Sequence, residues 1–114
     1  MRTESKPDQS FRVACVKVLT VFLDRVRQDN AKVHAELAPR VRGSFQLLLP
    51  HSDSLAGKPE TWAGGLAYAA NRWLLTGDRT GVLNAELERI FGTSMSTIRK
   101  RAEQVWPLIE PKLC

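Results

Sequence analysis

Residues 83–101, which read LNAELERIFGTSMSTIRKR, decide the predicted fold of this chain. Gly92 is of the residue type that most easily adopts the left-handed backbone ending a helix, and Ser94 is placed to cap a second helix with its hydroxyl. The stretch therefore predicts two short helices joined by a tight turn, the pattern of a helix-turn-helix, over residues 83–106. The first helix would bury an apolar stripe at helical spacing: Leu83, Leu87, Ile90 and Phe91.

The second predicted helix has an apolar face and a polar face. Met95, Ile98, Ala102 and Val105 recur at helical spacing and would face inward. The opposite face carries short hydroxyls at its start and cations after them, which suits a DNA groove. We therefore expect nucleic-acid contact through Ser94, Ser96, Thr97, Arg99, Lys100 and Arg101.

A second interpretation of the same pattern involves no nucleic acid. Two helices packed at a tight corner give the same apolar spacing, and cations on a solvated helix face are common in other proteins. Glu88 sits where a small residue would normally let the two helices cross closely. Together with Glu86 and Glu103, it also dilutes the local positive field. Both interpretations stay open from the residues alone.

The composition is that of one soluble globular domain. The chain has 114 residues, of which 43% are hydrophobic and 25% charged. No run approaches the roughly 20 apolar residues of a membrane span, and the start of the chain is too polar for a secretory signal. We expect a disordered segment over residues 1–9, one helical domain over residues 10–110, a cytoplasmic location and no membrane partner.

The net charge of +5 permits nucleic-acid binding, because Lys and Arg release counterions from a phosphate backbone. The positive excess lies in the N-terminal half, since residues 1–58 carry ten Lys and Arg against six Asp and Glu. If the protein binds no nucleic acid, this charge serves solubility. If it does, we expect phosphate contacts from Arg25, Arg27, Lys32, Arg40 and Arg42.

Two further helices are predicted before residue 50. Apolar residues recur at three- and four-residue steps over residues 11–26, and the run is too long for a usual strand. Asn30 is placed as the N-cap of the next helix, which we expect Pro39 to interrupt and Pro50 to end. Residues 51–58 form a polar loop of turn-forming residues.

A central helix is predicted over residues 59–75, with Pro59 in its first turn. The helix is small or apolar almost all round, which indicates burial. Gly64 and Gly65 cost helix propensity, so we expect them to admit a closely crossing helix. We expect Pro107 to close the last helix. The predicted core anchors are Trp62, Leu66, Tyr68 and Trp73.

Nothing in the sequence indicates an enzyme or a cofactor. His34 and His51 are isolated, and Cys15 and Cys114 have no CxxC spacing, so no catalytic, cofactor or metal site is predicted. Cys15 lies on an apolar helical stripe and is expected to be a small core residue, whereas Cys114 is expected on a fraying terminus.

Residues 57–109 also carry a family likeness. GKPETWA at residues 57–63 leads into Tyr68-Ala69 and then into the turn that closes on TIRKR at residues 97–101. This order resembles a cyclin-like repeat of transcription factor IIB and its archaeal relatives, in which a Pro-led, Ala-rich helix precedes a helix-turn-helix closing on T-[VI]-R-x-R. A closer likeness, including the Trp62-Ala63 pair and Asn71, is to a bacterial family of uncharacterised helical domains with a C-terminal helix-turn-helix.

The resemblance implies an all-α, cyclin-like orthogonal bundle of five to six helices that contacts DNA in transcription or its regulation. Cyclin-like repeats also serve as protein-binding modules, so a non-catalytic interaction module without nucleic-acid binding is the alternative. Its docking surface could be an apolar groove beside Trp62 and Trp73. Self-association is a third possibility, through Trp106, Leu108 and Ile109 if they are exposed.

Overall fold

Five α-helices make up most of the described chain, and the part of it that is described contains no strand. The computed structural model describes residues 5–74 and 80–110, with side chains from residue 9 onward in the first range. The helices are α1 (Ser5–Asp29), α2 (Ala31–Leu48), α3 (Pro59–Ala69), α4 (Asn84–Phe91) and α5 (Met95–Ile109). A 3-10 helix (Leu49–Ser54) follows α2, and a π-helical turn (Ala70–Leu74) follows α3. The all-α prediction is confirmed.

α1 begins at Ser5, whereas the sequence analysis placed residues 1–9 in a disordered segment. That boundary followed the first apolar residue, Phe11, but polar residues extend a helix toward solvent without breaking it. Pro7 falls in the first turn, where a backbone N–H has no intrahelical acceptor to lose. Residues 1–4 lie outside the described part of the chain.

α2 begins as predicted and continues further than predicted. The Asn30 side chain accepts hydrogen bonds from the backbone N–H groups of Lys32 (3.0 Å) and Val33 (3.2 Å), which confirms it as the N-cap. Pro39, however, lies inside α2 and does not interrupt it. Both Pro39 and Ala35, four residues earlier, are exposed, so water can satisfy the carbonyl that the missing N–H leaves free.

α3 is the central helix, since it packs against each of the other four. Trp62 and Leu66 are buried, as expected of core anchors, and Tyr68 is half-buried. Trp73 is 41% exposed, so its assignment to the core was wrong. The π-helical turn that starts at Ala70 rotates the side chains after it relative to the α-helical register, which moves Trp73 out of the buried stripe.

The two glycines of α3 have the packing role predicted for them. A Cβ added at Gly65 would lie 2.5 Å from Cβ of Arg101 and 2.8 Å from the backbone nitrogen of Ala102. A Cβ at Gly64 would lie 3.0 Å from Cγ of Phe91. α5 therefore crosses α3 at a distance that only glycine permits at residue 65.

α4 and α5 bury most of the predicted residues. Leu87 and Phe91 are buried, and Phe91 packs its ring 5.8 Å from that of Phe22 on α1. Leu83 is 67% exposed, contrary to expectation, because it precedes the first turn of α4 in an extended backbone conformation. The inward face of α5 is confirmed by the burial of Met95, Ile98, Ala102 and Val105.

The end of α5 also differs from the prediction. Pro107 lies inside the helix, which continues to Ile109. Because Pro107 has no N–H, the carbonyl of Glu103 lacks its helical donor, but Glu103 is exposed to water. Of the residues considered for self-association, Ile109 is buried, whereas Trp106 and Leu108 are half-buried. Trp106 packs against Trp73 with a ring-centroid distance of 5.1 Å.

Candidate nucleic-acid interface

The turn between α4 and α5 is built from the residues that predicted it. Gly92 has φ 68° and ψ 32°, the left-handed conformation, and its N–H donates to the carbonyl of Glu88 at 2.8 Å. Ser94 is extended, and its hydroxyl accepts the backbone N–H of Thr97 at 3.2 Å. The Ser94 hydroxyl also lies 3.3 Å from that of Thr97. The roles predicted for Gly92 as helix terminator and Ser94 as N-cap are confirmed.

Glu88 holds the two helices together across this turn. Its carboxylate accepts the backbone N–H of Met95, the first residue of α5, at 2.7 Å. From the sequence, Glu88 was expected to hinder close helix crossing and to dilute the local positive field. A carboxylate at a helix N-terminus is stabilising, because it satisfies a free N–H and faces the positive end of the helix dipole. The sequence signal for this role is the position of Glu88, a carboxylate seven residues before Met95, where α5 was predicted to begin.

The first turn of α5 is consequently engaged by the protein itself. The N–H groups of Met95 and Thr97 already have side-chain acceptors, and the Ser94 and Thr97 hydroxyls lie against each other. Groups that could contact a partner therefore lie further along the helix. Ser96, Arg99, Lys100 and Glu103 follow at steps that place them on one face, and all four are exposed. Within the described residues, neither Arg99 nor Lys100 has an ion-pair partner.

Arg101 belongs to the packing of α5 on α3. Its guanidinium carbon lies 4.1 Å from the centroid of the buried Trp62 ring, a cation–π arrangement. Its Nε donates to Oγ1 of Thr61 at 3.4 Å, and its Nη1 donates to Oε1 of Gln104 at 3.2 Å. The sequence grouped Arg101 with the nucleic-acid contacts, but the structure separates it from exposed Arg99 and Lys100.

Arg25 is likewise engaged inside the molecule. Its Nε lies 2.7 Å from Oε2 of Glu86, and its Nη2 donates to Oε1 of the same carboxylate at 3.2 Å. These hydrogen bonds hold the pKa of Glu86 below its ordinary value. The pair connects α1 with α4, which are 61 residues apart in sequence at this point. Arg25 therefore joins two helices and is not a free cation for a phosphate.

The other predicted phosphate contacts remain on the surface. Arg27 pairs with Asp24 at 3.1 Å on α1, and Arg40 pairs with Glu36 at 3.4 Å on α2. Such exposed pairs within a helix contribute little and can exchange for another anion. Lys32 and Arg42 are exposed on α2. The predicted phosphate contacts therefore lie on α1 and α2, whereas the exposed cations Arg99 and Lys100 lie on α5.

Cys15 lies in the core of the described structure. Cys15 is buried, burial raises the pKa of its thiol to about 12, and its Sγ lies 3.4 Å from the carbonyl of Pro59. It is the core residue that the sequence indicated, and its thiolate is suppressed at neutral pH. Cys114 lies outside the described part of the chain. No group of three or more His, Cys, Asp or Glu in that part could hold a metal ion.

The described helices are too short or too polar to cross a bilayer. No family model, curated protein or solved structure matches the chain. The fold and surface define an all-α protein in which the cations Arg99 and Lys100 are exposed beside a hydrogen-bonded interhelical turn.

Proposed function

We propose that this protein binds duplex DNA through the exposed face of α5, acts in transcription or its regulation, and has a cyclin-like arrangement of its helices. The α4–turn–α5 unit is then a helix-turn-helix in the functional sense. The observation that carries the proposal is the exposure of Arg99 and Lys100, which have no ion-pair partner within the described residues. Cations in this state can neutralise phosphates without first breaking an internal pair.

The hydrogen bonds of the turn support this proposal. Gly92 ends α4 by donating its N–H to the carbonyl of Glu88, and the side chains of Ser94 and Glu88 accept backbone N–H groups of the first turn of α5. These bonds favour one orientation of the exposed face before a partner arrives. A preorganised helix loses little conformational entropy on binding. Ser96 and Arg99 lie on this face, and both side chains can donate hydrogen bonds to base edges or phosphates.

The proposal assigns different roles to the predicted contact residues. Ser96, Arg99 and Lys100 contact DNA directly, while Ser94 and Thr97 shape the start of the helix and Arg101 anchors it on Trp62. Arg27, Lys32, Arg40 and Arg42 supply additional phosphate contacts, and Arg25 maintains the position of α4 through Glu86. No cofactor or metal takes part in this mechanism.

The test is a fluorescence-anisotropy titration of a labelled random duplex over a series of salt concentrations. We expect Arg99→Gln with Lys100→Gln to weaken binding and to reduce the slope of log affinity against log salt by about 0.9 per lost contact. The matched control is Lys17→Gln with Lys58→Gln, which removes two exposed cations outside the proposed surface.

The control variant should keep the wild-type slope. Equal losses in the two double variants would show that only net charge matters and would contradict the assignment to α5. An absence of binding at low salt, in protein shown to be folded by circular dichroism, would reject the function itself.

A further inference from the structure

The groove between α1 and α2 is apolar in its floor and cationic at its rim. Residues 41–46 of α2 lie beside residues 12–23 of α1 and enclose about 230 Å³. Leu19, Val41 and Phe45 are buried at its floor, whereas Arg12 and Arg42 are exposed. Val16, Thr20, Leu23 and Gln46 complete the lining, which contains no carboxylate.

Exposed apolar side chains are concentrated on the same two helices. Of the six large hydrophobic residues that are exposed in the described chain, four lie on α1 and α2. They are Val13, Val16, Val21 and Leu47. Of these four, Val16 lines the groove, so it is an apolar side chain that the groove presents to a partner.

We propose that this groove docks an acidic amphipathic helix of a partner protein. The enclosed volume is below the roughly 300–1,000 Å³ of ordinary small-molecule sites, so it fits a few side chains better than a whole ligand. Both walls are α-helices, whose backbone groups are already paired, so neither offers an edge to an added strand. The partner must therefore be recognised through the side chains of the groove, which is how a groove binds an amphipathic helix.

The charge of the rim determines the charge of the partner. Among the side chains that the structure describes, neither Arg12 nor Arg42 has an ion-pair partner. Each guanidinium can donate two hydrogen bonds to one carboxylate, whereas a cationic helix would be repelled. The docking helix thus presents apolar residues at positions i, i+3 or i+4, and i+7, with Asp or Glu beside them.

The test begins with a displayed library of helical peptides selected on the folded full chain. We expect the selected peptides to share that apolar spacing and to carry net negative charge. The best of them is then titrated against the wild-type chain and three variants. Val16→Glu places a charge in the groove, and Arg12→Gln removes half of the cationic rim.

The matched control is Val21→Glu, which makes the same change on the same helix at a similar exposure, 50% against 46% for Val16, but outside the groove lining. We expect Val16→Glu to weaken binding by about tenfold or more and Arg12→Gln by about fivefold, with Val21→Glu within about twofold of wild type. All three positions are exposed, so folding should survive these changes.

Three results would overturn the proposal. Selection could yield no common pattern or a cationic one, or Val16→Glu and Val21→Glu could weaken binding equally. Duplex DNA could also displace the peptide from the wild-type chain. The displacement would then be equally strong in the double variant Arg99→Gln with Lys100→Gln. That last result would assign the groove to a nucleic-acid surface independent of α5.

Discussion

The crossing of α3 and α5 and the pairing of α1 with α2 are two contrasting helix contacts in one small protein. At the crossing, Gly65 brings the α3 backbone against that of Arg101 and Ala102. Along the α1–α2 pair, bulky side chains meet and leave a groove of about 230 Å³. The glycine on α2, Gly43, is exposed and has nothing within 4 Å of the place where its Cβ would be.

The difference teaches where small residues matter in a helical protein. A glycine permits close approach only where another backbone arrives at that point, whereas an exposed glycine only weakens its helix. The crossing gains dense packing at residues with almost no exposure, such as Ala63, Ile98 and Ala102. The α1–α2 pair leaves apolar surface uncovered. We infer that the crossing tolerates added volume least and that capacity for binding is greater along the pair.

The largest expected effect comes from removing the aromatic centre of the crossing. Trp62→Ala should lower the free energy of unfolding by about 3–5 kcal/mol, as for other buried aromatic residues. The variant also loses the contact with the Arg101 guanidinium and leaves the carbonyl of Ala56 without the indole N–H that donates to it at 2.8 Å. Urea denaturation followed by circular dichroism measures the change.

Trp73→Ala is the matched control for this substitution. Its ring is 41% exposed and contacts Trp106, so the loss should be about 1 kcal/mol. Equal losses at the two tryptophans would contradict the view that burial at the crossing makes Trp62 the more important of the two.

A pair of glycine substitutions tests the crossing directly. Gly65→Ala adds a methyl group where the backbone of residues 101 and 102 already lies, and should lower the free energy of unfolding by about 1–3 kcal/mol. Gly43→Ala makes the same chemical change in open space, and should raise it by up to about 1 kcal/mol through helix propensity. Two changes of the same sign in thermal or urea unfolding would refute the comparison.

Sequence reasoning succeeded where the deciding physics is local. The apolar spacing of α5, the Asn30 and Ser94 caps, and the left-handed Gly92 all depend on neighbouring residues, and all are confirmed. The close approach at Gly65 was also predicted, because two adjacent glycines in a buried helix need a packing reason. The identity of the crossing helix was not predicted, since it depends on the tertiary arrangement.

Predictions from the sequence were wrong where the tertiary environment of a residue determines its conformation or exposure. Access of the deprived carbonyl to water lowers the cost of a proline inside a helix, and Pro39 and Pro107 lie on exposed faces where that access exists. Trp73 was assigned to the core because an α-helical register was assumed to continue beyond Ala70. A helical register was likewise assumed at Leu83, which precedes α4.

The candidate site shows the same limit. Exposure of Ser96, Arg99 and Lys100 followed from the helical pattern, and all three are exposed. The pairing of Arg25 with Glu86 and the stacking of Arg101 on Trp62 connect residues about 40 to 60 positions apart, and no local pattern encodes them. The groove between α1 and α2 was also missed, because it exists only once the two helices pack.

The smallest expected effect concerns the ion pair between α1 and α4, away from the crossing. The hydrogen bonds from Arg25 hold the pKa of Glu86 below its ordinary value, so the folded state favours the ionised carboxylate. The pair therefore stabilises the protein at pH values above the ordinary Glu pKa, and this contribution is lost as the pH falls through the lowered value. Glu86→Gln should reduce stability modestly at about pH 7, and its difference from wild type should shrink as the pH falls through the lowered pKa.

Urea unfolding of both proteins across this pH range measures the effect. The Glu86→Gln side chain keeps one oxygen that can accept the N–H of Leu83, as the carboxylate does at 3.5 Å, and it loses the charge and one of the two acceptors for Arg25. Glu103→Gln removes an exposed carboxylate of α5 and is the control for the loss of one negative charge. If the Glu86→Gln difference grew toward acid pH, the sign of the linkage would be wrong and Arg25 would be free for an external anion. If it shrinks, Arg25 is committed to Glu86, and phosphate contacts on α1 and α2 fall to the remaining surface cations.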